Sequence, residues 1–121
     1  MMEFGYIGIN YKNADQDIRD GVSFTDNGKI DFMEKAADAG ISQCMVLSTC
    51  NRSEVYYLVQ DTEEHKTMER LYRGNFSEIC LDEYLDFRSG KEAIAYLFRV
   101  TAGLESMVLG EDQILGQVSD A

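Results

Sequence analysis

The chain has 121 residues, 45% of them hydrophobic, with seven Tyr, six Phe and a formal net charge of -11. That length holds one domain with one core, and the apolar and aromatic content excludes a disordered segment. The acidic balance argues against a broad basic surface for nucleic acid and against anionic membranes.

No run reaches the roughly 20 apolar residues of a membrane span, and "MMEFGYIGIN" lacks the basic start and hydrophobic stretch of a signal peptide. A cytoplasmic location is expected. Cys44, Cys50 and Cys80 make an odd count without C-x-x-C spacing, so neither a disulfide framework nor a zinc site is indicated and no metal is expected.

The first element is a strand, "FGYIGIN", with Phe4 and Tyr6 on one side and Ile7 and Ile9 on the other. A short helix follows, capped by Asn13 or Asp15, containing Ile18 and interrupted near Gly21. A second helix runs from Ile30 to Ala39, and Gly40 suits the left-handed residue that stops it. Strand two passes through Cys44 to Leu47, and strand three takes Glu54 to Val59. Thr62, with Glu63 and Glu64, opens a helix through Met68, Leu71 and Tyr72 that Gly74 ends. A helical turn and a strand around Tyr84 to Phe87 come next. Ser89 then caps the longest helix, whose stripe of Ile94, Leu97, Phe98, Thr101, Leu104 and Val108 is expected to meet the core. The order β, α, α, β, β, α, β, α predicts an α+β fold of the split βαβ, ferredoxin-like plan. In it, helices cover one face of an antiparallel sheet and a long helix ends the chain.

Between strands two and three lies "STCNR", which puts Cys50 where a rigid scaffold presents a side chain. A thiol reacts as thiolate, and Arg52 is the local group that would favour the anion or pair with a substrate carboxylate. Thr49 and Asn51 add a hydroxyl and an amide able to orient an acyl carbonyl. A small packed residue is the commoner role for an isolated cysteine near a strand end, and spacing alone leaves both readings open. Cys44, inside an apolar strand, and Cys80, between Ile79 and Leu81, look like core fillers. On the last helix Tyr96, Arg99, Gly103, Ser106 and Gly110 share the side opposite the apolar stripe, a pocket wall or a solvated face. Glu111, Asp112 and Gln113 read as an ordinary acidic helix start. His65 is expected to be solvated, and no His-Cys pair is evident.

"GINYKNADQDIRDGVSF", "VLSTCNRSEVY" and "LFRVTAGLESMVLGEDQILGQV" resemble, in order and spacing, the signature blocks of the amino-terminal catalytic domain of glutamyl-tRNA reductase. The resemblance implies a domain spanning 1–121 that acts in the NADPH-dependent reduction of glutamyl-tRNA(Glu) to glutamate-1-semialdehyde, the first committed step of tetrapyrrole synthesis by the five-carbon route. Cys50 would be the nucleophile that forms a thioester. Thr49, Asn51 and Arg52 would line the glutamyl site, and Ser106, Glu111, Asp112, Gln113 and Gln117 would be its other substrate contacts.

Where the family has a histidine before L-F-R-V this chain has Tyr96, a poor base at neutral pH, which at that position would be a catalytic residue contacting the reacting acyl group as a hydrogen-bond donor. No G-x-G-x-x-G follows a strand, so NADPH is expected to be bound by a domain outside this chain. "ILGQVSDA" carries no C-cap signal, as expected of a segment cut from a longer polypeptide whose further domains bind NADPH and form a homodimer. Such a segment would accept the glutamyl group without completing the reduction. The resemblance also implies hand-over of the aldehyde to the aminomutase that follows, with no membrane partner. Two other readings are a non-catalytic glutamyl-tRNA or protein-binding domain of the same fold, and a thiol redox sensor.

Overall fold

Alternation along the first strand sets the two faces of a four-stranded sheet. A computed structural model describes residues 2–10 and 14–102. The strands are β1 (Glu3–Asn10), β2 (Cys44–Ser48), β3 (Arg52–Val59) and β4 (Asp86–Ser89), in the order β2-β3-β1-β4. Every neighbouring pair is antiparallel, with Ile7 opposite Val55 and Phe87 across β1, and Val46 opposite Val55 across β2 and β3. This is the expected split βαβ arrangement, in which β3 lies between β1 and β2, and β1 lies between β3 and β4.

The helices among the described residues are α1 (Gln16–Gly21), α2 (Asp26–Asp38), α3 (Thr62–Asn75) and α4 (Gly90–Thr101). Asp15 caps α1 by accepting from the Ile18 N–H at 3.1 Å. Thr25 caps α2 by accepting from Gly28, so this helix starts four residues before the expected Ile30. Gly40, at φ +95°, occupies the left-handed region after α2 as its sequence position predicts. Asp61 rather than Thr62 caps α3, which continues through Gly74 to Asn75. Strand β4 starts at Asp86, two residues later than expected.

Helices cover both faces, not one. Ile7, Ile9, Val46, Val55, Tyr57 and Val59 meet Phe32 and Ala36 of α2 and Met68 and Tyr72 of α3. The alternate residues Tyr6, Leu47 and Tyr56 meet Ala93, Tyr96 and Val100 of α4. The face of α4 is also different from the expected one. Ile94 is 42% and Phe98 68% exposed, whereas Tyr96 and Val100 are buried. Apolar residues occupy most of the circumference of α4, so periodicity admits either arc; the buried one is the arc on which the Tyr96 hydroxyl finds a carboxylate. The expected continuation through Leu104 and Val108 lies outside the described residues.

Two of the expected minor roles change. Cys80 is exposed, its thiol 3.9 Å from Asp82, because the loop after α3 buries Leu81 and turns the neighbouring residue outward. His65 is partly buried, with Nε2 2.6 Å from Glu3 and Nδ1 3.3 Å from the Tyr57 hydroxyl. Cys44 packs against the larger cluster, as expected.

Candidate functional site

The hairpin joining β2 to β3 is closed by the pair Thr49 and Arg52. The Thr49 N–H donates to the Arg52 carbonyl at 2.9 Å, and the Arg52 N–H to the Thr49 carbonyl at 3.4 Å. Cys50 and Asn51 are thus its two central residues. The Thr49 hydroxyl accepts from the Asn51 N–H at 3.1 Å, a local hydrogen bond that stiffens the reversal. Thr49, Asn51 and Arg52 are 7%, 6% and 1% exposed, while Cys50 is exposed. Three buried neighbours therefore lift one thiol to the surface.

Two serines fix this turn against the segment before α2. Ser48 accepts from the Phe24 N–H at 3.0 Å, and Ser53 donates to the Val22 carbonyl at 2.6 Å. The Tyr72 hydroxyl of α3 closes on the Ser53 carbonyl at 2.8 Å. Buried backbone groups that would otherwise lack partners are thereby satisfied, which favours one position for the turn.

The other face of the hairpin holds a cluster that sequence reading missed. Glu54 is fully buried, and its Oε2 accepts from Arg52 Nη1 at 3.0 Å, from the Tyr6 hydroxyl at 3.0 Å and from the Tyr96 hydroxyl at 3.2 Å. Its Oε1 accepts from the Tyr56 hydroxyl at 3.0 Å. Burial pushes the Glu54 carboxyl above its ordinary range, and the Arg52 charge and the three hydroxyls pull against it. Burial works against the Arg52 charge, but Glu54 and its surroundings outweigh it and leave the guanidinium above its ordinary pKa. Burial, then the Glu54 charge, raises Tyr6, Tyr56 and Tyr96, which remain protonated donors.

Arg52 therefore points into the protein onto Glu54, with no exposed side-chain surface. Tyr96 is buried, with the Arg88 guanidinium 4.2 Å and the Arg99 guanidinium 5.5 Å from the centre of its ring. The structure brings Thr49, Cys50, Asn51 and Arg52 together on one turn and ties Arg52 to Tyr96 through Glu54. Ser106, Glu111, Asp112, Gln113 and Gln117 lie outside the described residues. One signal for Glu54 was present in the sequence: Arg52 and Glu54 are opposite charges at i and i+2 on one strand, which puts them on one face within reach of each other.

Two concavities of about 450 Å³ formed by described residues lie at the opposite end of the sheet. One is lined by Glu3, His65 and Ser89 among others, and Glu3 pairs with Val59, far along β3 from the turn. Among the described residues no group of three or more His, Cys, Asp or Glu side chains is placed to hold a metal ion. No helix among them is long and apolar enough to cross a membrane.

A glutamyl-tRNA reductase of Clostridium novyi is 41% identical over 121 residues, covering 99% of this chain and 29% of that protein. One from Alkaliphilus metalliredigens is 40% identical over 124 residues, covering 99% of the chain and 29% of its own length. The solved structure of glutamyl-tRNA reductase from Methanopyrus kandleri superimposes with a TM-score of 0.70 at 30% identity, over 97% of this chain and 26% of that one. The chain thus spans less than a third of these relatives. The sequence model described as "Glutamyl-tRNAGlu reductase, N-terminal domain" matches residues 7–121, and the chain belongs to that family.

Proposed function

We propose that this chain is the part of a glutamyl-tRNA reductase that receives the glutamyl group on Cys50. The supporting observation is the exposed thiol at the centre of a turn whose other residues are buried and hydrogen-bonded in place. The thiolate attacks the carbonyl carbon of the ester that joins glutamate to the 3′ end of tRNA. A C–S bond forms, the C–O bond breaks, and the tRNA oxygen takes up a proton as it leaves. The thioester carbonyl is a better hydride acceptor than the ester, and the covalent link holds the acyl group for the next step.

In this reading Thr49 and Asn51 frame the acyl group, and Arg52, buried against Glu54, acts on it through the turn that it closes. Ser106, Glu111, Asp112, Gln113 and Gln117 complete the substrate contacts. Reduction of the thioester to glutamate-1-semialdehyde requires NADPH, and the described residues do not fit a dinucleotide. All neighbouring strands are antiparallel, which leaves no parallel βαβ crevice with a glycine-rich turn. In this reading NADPH binding and dimerisation belong to other parts of the full-length protein, and the aldehyde is handed over to an aminomutase. With a net charge of -11 this domain engages the acceptor end of the tRNA and leaves most phosphate contacts to those parts.

Full-length protein incubated with glutamyl-tRNA labelled in the amino acid should retain label on the protein and release free tRNA. Cys50→Ser should abolish both. A wild-type protein that binds the tRNA and retains no label would instead be a binding domain of the same fold.

A further inference from the structure

Glu54 is where three elements of the fold meet. Strand β3 supplies Arg52, Glu54 and Tyr56, strand β1 supplies Tyr6, and helix α4 supplies Tyr96. Arg52 is also the closing residue of the Cys50 turn, joined to Thr49 through both backbone hydrogen bonds. A planar guanidinium tied at Nη1 to a carboxylate that is itself held by three hydroxyls has little freedom to rotate. The Arg88 and Arg99 guanidiniums lie 4.2 Å and 5.5 Å from the centre of the Tyr96 ring.

A tyrosine hydroxyl has one proton, and that of Tyr96 is donated to Glu54. What remains are lone pairs, which do not stabilise the negative oxygen that develops on an acyl group under attack. We infer that Tyr96 and Glu54 are positioning residues: they hold the Arg52 guanidinium, and through it the closing residue of the Cys50 turn, from beneath. Tyr96 acts on acyl transfer through these contacts rather than by touching the acyl group. The inference rests on Cys50 being the acyl acceptor.

The test uses full-length protein as wild type, Tyr96→Phe, Glu54→Gln and the double variant, at a temperature where melting curves show each one folded. Single-turnover transfer from glutamyl-tRNA to Cys50 should slow roughly 10-fold in each single variant, with the concentration giving half the maximal rate little changed. The loss in the double variant should fall well short of the product of the two, since both residues act through Arg52. Alkylation of Cys50 by iodoacetamide, which needs no substrate, should change in rate in Tyr96→Phe while alkylation of Cys80 does not. Should Glu54→Gln fail to fold, Tyr96→Phe and the alkylation comparison carry the test alone. Wild-type alkylation kinetics in Tyr96→Phe, or losses in the double variant that multiply, would overturn the positioning role and leave the acceptor role of Cys50 standing. A wild-type protein that forms no Cys50 adduct would overturn the acceptor role and this inference with it.

Discussion

The Arg52 guanidinium and the Glu54 carboxylate stand 3.0 Å apart on one face of β3, and neither side chain exposes any surface. Each charge depends on the other to be tolerated in the interior. Removing one partner, as in Arg52→Met or Glu54→Leu, should cost about 3–5 kcal/mol of stability by stranding the other. Replacing both should recover the part due to the stranded charge, while the Tyr6, Tyr56 and Tyr96 hydroxyls remain without the acceptor that Glu54 provides. Urea denaturation of the two single variants and the double measures it, and a double variant no more stable than the singles would contradict the pairing.

Gly8 lies beside this cluster on β1, opposite Glu54. A Cβ there would come within 2.8 Å of Glu54 Cγ and the Tyr6 hydroxyl and 2.9 Å of the Ser53 carbonyl oxygen. The last of these is backbone in a three-stranded context and has no room to retreat. Gly8→Ala should destabilise the fold by about 1–3 kcal/mol, through overpacking rather than helix or strand propensity. Thermal denaturation checks it, and a melting temperature at or above wild type would show that the sheet can spread at this point.

The three thiols should separate by accessibility and by charge. Burial raises the Cys44 thiol from 9.0 to about 12, whereas Cys50 and Cys80 are exposed. Iodoacetamide at pH 8 should label Cys50 and Cys80 and spare Cys44, which becomes reactive only when urea unfolds the chain. The sign for stability follows from the same shift. A thiol whose folded pKa lies above its unfolded value contributes stability that is complete below about pH 9 and is lost as pH rises towards about 12. Site-resolved mass spectrometry at pH 8 and denaturation curves between pH 8 and 10 provide the two readings.

Strand alternation in "FGYIGIN", the left-handed Gly40 and the order of eight elements were all legible in the sequence, because each follows from local spacing or from one residue's backbone preference. The face of α4 was not. Ala93, Ile94, Leu97, Phe98 and Val100 offer two apolar arcs, and a tertiary partner, Glu54, decides between them. The same carboxylate escaped notice because it looks like the first residue of a strand, and its burial depends on α4 crossing the second face of the sheet. Cys50 stood out by its place in the turn, but the fixing of that turn depends on Val22, Phe24 and Tyr72, which bond Ser48 and Ser53 from 19 to 31 residues away in sequence. The inward aim of Arg52 is likewise a tertiary fact, since the turn alone allows it to face either way.

The most direct measurement is peptide mapping of full-length protein quenched during reaction with glutamyl-tRNA. The mass of one glutamyl group should appear on the peptide carrying Cys50, be removed by hydroxylamine as a thioester is, and be absent from the peptides carrying Cys44 and Cys80. A protein that consumes glutamyl-tRNA with Cys50 unmodified at every time point, or that works equally well as Cys50→Ser, would contradict the account.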